Sequence, residues 1–220
     1  MIPLRDIVPS RTRPYVTVTI IVLNAAAFLF EISLPPAARQ QLIQSYGLIP
    51  ATFAWPAVFT SMFLHAGWLH IGGNMLYLWI FGDNVEDQVG HGRFIIFYLL
   101  CGTVAALAQT FSDPMSPVPT IGASGAIAGV MGAYIVLYPK SRVLTLIPLF
   151  VFWEIIEIPA VFFLGFWFLL QVFSAGTVTS GTQQGGGVAF WAHIAGFLTG
   201  IAAVLIFRRP ERERVEWWSQ

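Results

Sequence analysis

Five polar residues stand where an apolar chain would be expected to carry none. Ser124 lies in the run IGASGAIAG and His193 in FWAHIAGFLTG, while HAGWLHIGGNM carries His65, His70 and Asn74. Polar groups at membrane depth are costly and call for an explanation. A serine hydroxyl is a weak nucleophile until a base about 3 Å away takes its proton. His193 is the natural base. The apolar stretch around it contains no Asp or Glu, which predicts a Ser-His dyad and not a triad. Acyl transfer also needs donors aimed at the developing oxyanion. His70 and Asn74, at i and i+4, share a helix face and carry side-chain N–H groups. The backbone N–H of Ser124, at or near a helix start, adds another. His65 is expected to border this site or to support the loop entering it.

Taken singly, each feature has a plainer reading. A lone serine in a membrane helix usually bonds its own i−4 carbonyl. The His70/Asn74 pair could be interhelical glue, and a lone histidine could be a packing or relay residue. Their coincidence at one depth favours chemistry. Ser124 precedes Lys140 by 16 residues, about 24 Å of helix, and His193 precedes Arg208 by 15, about 22 Å. His70 precedes Asp83 by 13 residues, about 20 Å. Lateral approach has its own signal. Gly122, Gly125, Gly129 and Gly132 form one small-residue stripe, and Ala192, Gly196 and Gly200 form another. Such stripes let membrane helices pack closely.

The elements that must hold these residues follow from composition. Of 220 residues, 56% are hydrophobic and only 10% charged, against about 25% in soluble domains. Mean hydropathy is +0.72. Six stretches approach the roughly 20 apolar residues that a span needs: about 15–33, 58–82, 93–111, 121–138, 159–175 and 188–207. Ten of the eleven Lys/Arg fall on one side of this arrangement, with only Arg39 on the other. The positive-inside rule then puts both termini in the cytoplasm and the site in the outer half. Residues 143–158 could add a seventh span, but that would move four C-terminal arginines outside. They are read instead as lying along the cytoplasmic interface. The expectation is an all-α membrane protein: a six-span domain over 15–207, a leader over 1–14, a tail over 208–220, and a long first loop packed on the outer leaflet. A Gly-rich segment, 176–187, is expected to cap a wetted cavity. The fifth span, without an intramembrane charge, is the expected route of lateral entry.

Other chemistries find no motif. There is no phosphate-binding glycine loop, no H-E-x-x-H, no metal-binding cysteine spacing and no pair of intramembrane aspartates. G-A-S-G-A is not the G-x-S-x-G elbow, since position 126 is alanine. No cofactor, metal or nucleic acid is expected; the chain does not indicate an oligomeric state. A small transporter would want relay charges or inverted repeats, and neither is present.

Together, His65-x4-His70-x3-Asn74, Gly122-x-Ser124-Gly125 and Ala192-His193-x2-Gly196-x3-Gly200 resemble the rhomboid family of intramembrane serine proteases. Gly82-x3-Glu86 is similar to the family as well, in a structural role. The resemblance implies a six-helix rhomboid-like bundle in which Ser124 is the nucleophile and His193 the general base, with His70 and Asn74 in the oxyanion hole. It implies substrates that are single-pass membrane proteins, cut near the outer face of a cell (inner) membrane. A non-catalytic rhomboid-like binding protein is the nearest alternative; such proteins lose the serine or the histidine. Two departures stand out. Where many members carry Trp-Arg in the first loop, this chain has Trp55-Pro56, and Ala128 stands where some members stack a tyrosine on the histidine. Phe190 or Trp191 takes that tyrosine's place, or none does.

Overall fold

The computed structural model describes residues 1–149, 152–177 and 188–208. Most of the C-terminal arginines and nearly all of the Gly-rich segment 176–187 lie outside them. Six long helices form the bundle: α1 (Tyr15–Ser33), α4 (Trp68–Val89), α5 (His91–Ser112), α6 (Ser124–Leu137), α7 (Ala160–Thr177) and α8 (Phe190–Phe207). Two shorter ones, α2 (Pro36–Tyr46) and α3 (Trp55–Thr60), lie in the long first loop. Helices α1, α5, α7 and α8 are long and apolar enough to cross a membrane. Helix α4 spends its last turns on Asp83, Glu86 and Asp87, and α6 is shorter, with 14 residues.

Helix α6 is the axis of the core. Every residue from Gly125 to Tyr134 is buried, which only a helix surrounded on all sides allows. Its contacts with α8 and α5 are mostly backbone or Cβ contacts. A methyl at Gly196 or Gly200 would overlap the carbonyl oxygens of Gly125 and Gly129, and one at Gly129 would overlap Cys101 of α5. The two stripes therefore face each other. Gly122 is not part of its stripe: it sits in the loop before α6 at φ +123°, a region that favours glycine.

The second apolar stretch is also not one continuous helix. After α3 the chain makes a 3-10 turn at Ser61–Phe63 and runs irregularly to Gly67 before α4 starts. His65 thus lies ahead of the helix that carries His70 and Asn74.

Near the C-terminal end of α4, Glu86 caps α1. It accepts from the N–H groups of Val16 (3.0 Å) and Thr17 (2.8 Å), from the Thr17 hydroxyl (2.7 Å), and pairs with His91 at 2.5 Å. Unpaired N–H groups in a first turn and the positive end of the helix dipole both favour a carboxylate there. At Gly82 an added Cβ would fall 3.0 Å from Thr17, so α1 and α4 cross where the sequence is smallest. The Gly82/Glu86 pair is structural.

Beside the bundle lies a three-stranded antiparallel sheet in the order β1 (Ile2–Asp6), β2 (Arg142–Leu149), β3 (Phe152–Pro159). Within the stretch 143–158, expected along the interface, residues 143–149 and 152–158 are thus paired antiparallel strands. Their Val, Ile, Thr, Phe and Trp content favours strands, and residues 1–14 supply the third partner. Asp6 accepts from Tyr134 of α6 (2.5 Å) and from Asn84 of α4 (3.0 Å). The strand therefore joins the C-terminal ends of both helices. Burial raises the Asp6 carboxyl to about 6.

Candidate active site

Ser124 is the first residue of α6. The loop ahead of it is fixed by the long first loop: Leu48 and Thr120 exchange two backbone bonds (3.0 and 2.8 Å), and the Gly122 N–H donates to the Ser61 carbonyl at 2.8 Å. Being at the helix start, the Ser124 N–H has no i−4 carbonyl to bond. The Ser124 Oγ lies 2.8 Å from Nε2 of His193. A serine hydroxyl and an imidazole this close share a proton. His193 is held by the α6–α8 seam described above, since Ala192 and Gly196 flank it on the packed face of α8.

On the far side of the histidine, Nδ1 lies 2.8 Å from Oε1 of Gln171, and the Gln171 amide nitrogen donates to the Trp167 carbonyl at 3.2 Å. The Trp167 ring lies 5.6 Å from the His193 ring, tilted by 38°. An aromatic neighbour for His193 thus comes from α7; the expected candidates were Phe190 and Trp191. Of these two residues only Gln171 carried a readable signal, as a strongly polar side chain inside the apolar run 159–175; Trp167 is one aromatic among several there.

The third wall is α4. A Cβ built on Gly122 would fall 2.8 Å from both Cε1 and Nε2 of His70 and 3.6 Å from Nδ2 of Asn74. Both side chains therefore close on the backbone two residues before Ser124. The Ala66 N–H donates to Nδ1 of His70 at 3.3 Å. That nitrogen accepts, so the ring proton is on Nε2 and faces Gly122. Nδ2 of Asn74 is buried with no acceptor among the described residues. An uncompensated buried donor costs about 1–3 kcal/mol, and the geometry offers it to a bound oxygen.

His65 does not face this space. Its side chain is buried, with its ring 5.0 Å from that of His70 at 62°. Its backbone is clamped: the N–H donates to Glu31 (3.0 Å), and Arg39 donates to the carbonyls of His65 (3.3 Å) and Ala66 (3.2 Å). Arg39 and Glu31 lie 3.6 Å apart. The first loop, which has Pro56 where many members carry arginine, thus contributes Arg39 from α2 to this clamp. Its sequence neighbours gave no hint, because the contacts are carbonyls 26 and 27 residues away.

Ser124, His193, His70, Asn74 and Trp167 all line one cavity of about 1630 Å³. Gly125, Gly129, Gly196 and Gly200 lie behind it in the packing seam. Among the described residues no cluster of His, Cys, Asp or Glu could hold a metal ion.

Residues 52–210 match the rhomboid domain family. The chain belongs to the rhomboid family. It is 40% identical over 88 residues to rhomboid protease GluP of Bacillus subtilis, covering 40% of this chain and 17% of that one. It is 32% identical over 128 residues to the putative rhomboid protease YdcA of the same organism, covering 57% and 63%. Rhomboid-like protein 11, chloroplastic, of Arabidopsis thaliana is 32% identical over 163 residues, covering 71% and 54%. Each alignment spans less than two thirds of the relative's own length. Rhomboid proteases are serine hydrolases of the membrane interior. The site of this rhomboid is drawn from α4, α6, α7 and α8 together, with the first loop bracing the residues ahead of α4 and α6.

Proposed function

We propose that this rhomboid is an intramembrane serine endopeptidase with Ser124 as nucleophile and His193 as general base. The observation that carries the reading is the 2.8 Å contact between Ser124 Oγ and His193 Nε2 at the wall of a cavity that also presents donors from α4. As Oγ attacks a peptide carbonyl, its proton passes to Nε2. The carbonyl oxygen becomes an oxyanion, held by His70 Nε2–H, Asn74 Nδ2–H and the Ser124 N–H. His193 then returns the proton to the leaving nitrogen, the C–N bond breaks and an acyl-enzyme remains. Water, deprotonated by the same imidazole, attacks the acyl carbon; the ester bond to Oγ breaks, Oγ takes the proton back from His193 and the acid leaves. Each donor of this kind is worth about 10²–10³ in rate.

The substrates in this reading are single-pass membrane proteins, cut where a helix unwinds near the outer face of a cell membrane. A helical peptide bond is shielded by its own hydrogen bonding, so local unwinding is required. The arginine distribution supports cytoplasmic termini and a cavity open to the opposite side. The test is fluorophosphonate labelling of wild type, Ser124→Ala and His193→Ala, with cleavage of a single-pass substrate in liposomes. Both variants should lose labelling and cleavage; labelling that survives Ser124→Ala would end the assignment.

A further inference from the structure

An imidazole acts as a base at Nε2 only when its proton sits on Nδ1, and which nitrogen carries it is set by the bond the other makes. Four atoms on two helices decide this. The Gln171 amide has two possible orientations, and its contact with Trp167 selects one. The nitrogen must face the Trp167 carbonyl at 3.2 Å, since the reverse would set two oxygens against each other. The amide oxygen then faces His193 Nδ1 at 2.8 Å. An oxygen there accepts, so Nδ1 bears the proton and the Nε2 lone pair points at the Ser124 hydroxyl. The chain runs in one direction, from the Ser124 hydroxyl through the imidazole and the amide to a backbone carbonyl. Gln171 and His193 are both buried, so no bulk water competes for Nδ1.

We propose that Gln171 is a positioning residue that locks His193 in the Nδ1–H tautomer and completes a Ser-His-Gln relay. The proposal rests on the dyad reading above. A neutral amide does this without charge, in a place where an ionised carboxylate would be costly to bury. In the Ser-His-Asp triads of soluble proteases, misassigning this tautomer costs about 10⁴ in turnover. The amide takes the orienting part of that role without the electrostatic part, which sets the expected loss lower, at about 10- to 100-fold.

The experiment uses the full-length protein in detergent or nanodiscs, with fluorophosphonate labelling, substrate cleavage and ¹⁵N-histidine NMR. Gln171→Leu removes the acceptor; Gln171→Glu restores it as the neutral acid, whose O–H takes over the bond to the Trp167 carbonyl while the other oxygen faces Nδ1. Gln171→Leu should label about 10- to 100-fold more slowly and lose kcat with KM within about twofold. Gln171→Glu should recover most of the rate. In the wild-type spectrum the His193 resonance, identified by its loss in His193→Ala, should report the proton on Nδ1; this holds even if Gln171→Leu folds poorly. Gln171→Leu labelling at the wild-type rate, Gln171→Glu as slow as Gln171→Leu, or a wild-type His193 protonated on Nε2 would each overturn the proposal. Failure of the dyad itself looks different: Ser124→Ala would still label.

Discussion

Helix α8 packs against α6 on one side and α7 on the other, and the two seams are built from different parts of the chain. Against α6 the backbones meet: Gly196 and Gly200 lie on the carbonyls of Gly125 and Gly129 with no room for a methyl. Against α7 side chains meet, with Gln171 and Trp167 on His193 and Phe168 stacked on Phe197 at 4.7 Å. Phe162, Leu169 and Phe173 on the other face of α7 are exposed. A backbone seam has no rotamers to change and sets the Ser124–His193 distance. A side-chain seam can part and re-form, and it adjusts the orientation of the ring that the first seam has already placed. The difference assigns distance to α6 and orientation to α7.

Breaking the first seam should have the largest effect. Gly196→Val would drive two methyls into the Gly125 carbonyl, costing about 3 kcal/mol or more. Protein in detergent should lose its cooperative unfolding transition and all fluorophosphonate labelling. Next comes the wall that belongs to neither seam. Asn74→Ala should lower kcat about 10²–10³-fold while raising or preserving stability, since it removes a buried donor without an acceptor; a falling melting temperature would count against its placement. Parting the second seam should be milder. Trp167→Leu removes the ring beside His193, and aromatic pairs contribute about 0.5–1.5 kcal/mol, so labelling should slow about 3- to 10-fold with folding intact. If Trp167→Leu were as damaging as Gly196→Val, the division between the seams would fail.

The smallest effect is expected where β1 meets α4 and α6, away from both seams. Burial holds the Asp6 carboxyl at about 6 in the folded protein, against 3.8 for a freely solvated aspartate. Between those values the folded state holds a proton that the unfolded state has lost. Stability from this group therefore falls as pH rises through about 4 to 6 and stays lost above. Asp6→Asn keeps an acceptor for Tyr134 without the charge. The melting-temperature difference, Asn minus Asp, should grow across that window and level off near neutrality, with no change in labelling rate. A flat difference would show that the carboxyl is not held protonated.

Much of the site was legible because membrane depth makes polarity expensive. Ser124, His193, His70 and Asn74 stood out against apolar neighbours, and helical rise was enough to put them at one level. Gln171 had the same signal but stood alone: Asn74 lies one turn from His70, whereas the residues one turn from Gln171 are Trp167 and Ala175. Arg39 and Glu31 were out of reach for another reason: their work is to hold backbone carbonyls and an N–H group, and no side-chain pattern announces those. The strands were hidden by composition, since an apolar run rich in Val, Ile and Phe reads equally well as a segment at a membrane surface.

The sequence by itself determined that a hydroxyl, an imidazole and an amide occupy one level of a helical bundle, because the hydrophobic spans set depth and glycine spacing sets which helices touch. Tertiary structure alone decided the rest. It started α6 at Ser124, moved His65 and Gly122 off their helices, and turned Gln171 and Trp167 toward His193. Depth is a property of a single helix in a layer of given thickness. Azimuth and orientation depend on how separate helices rotate against one another, and that is set by contacts between residues far apart in the chain.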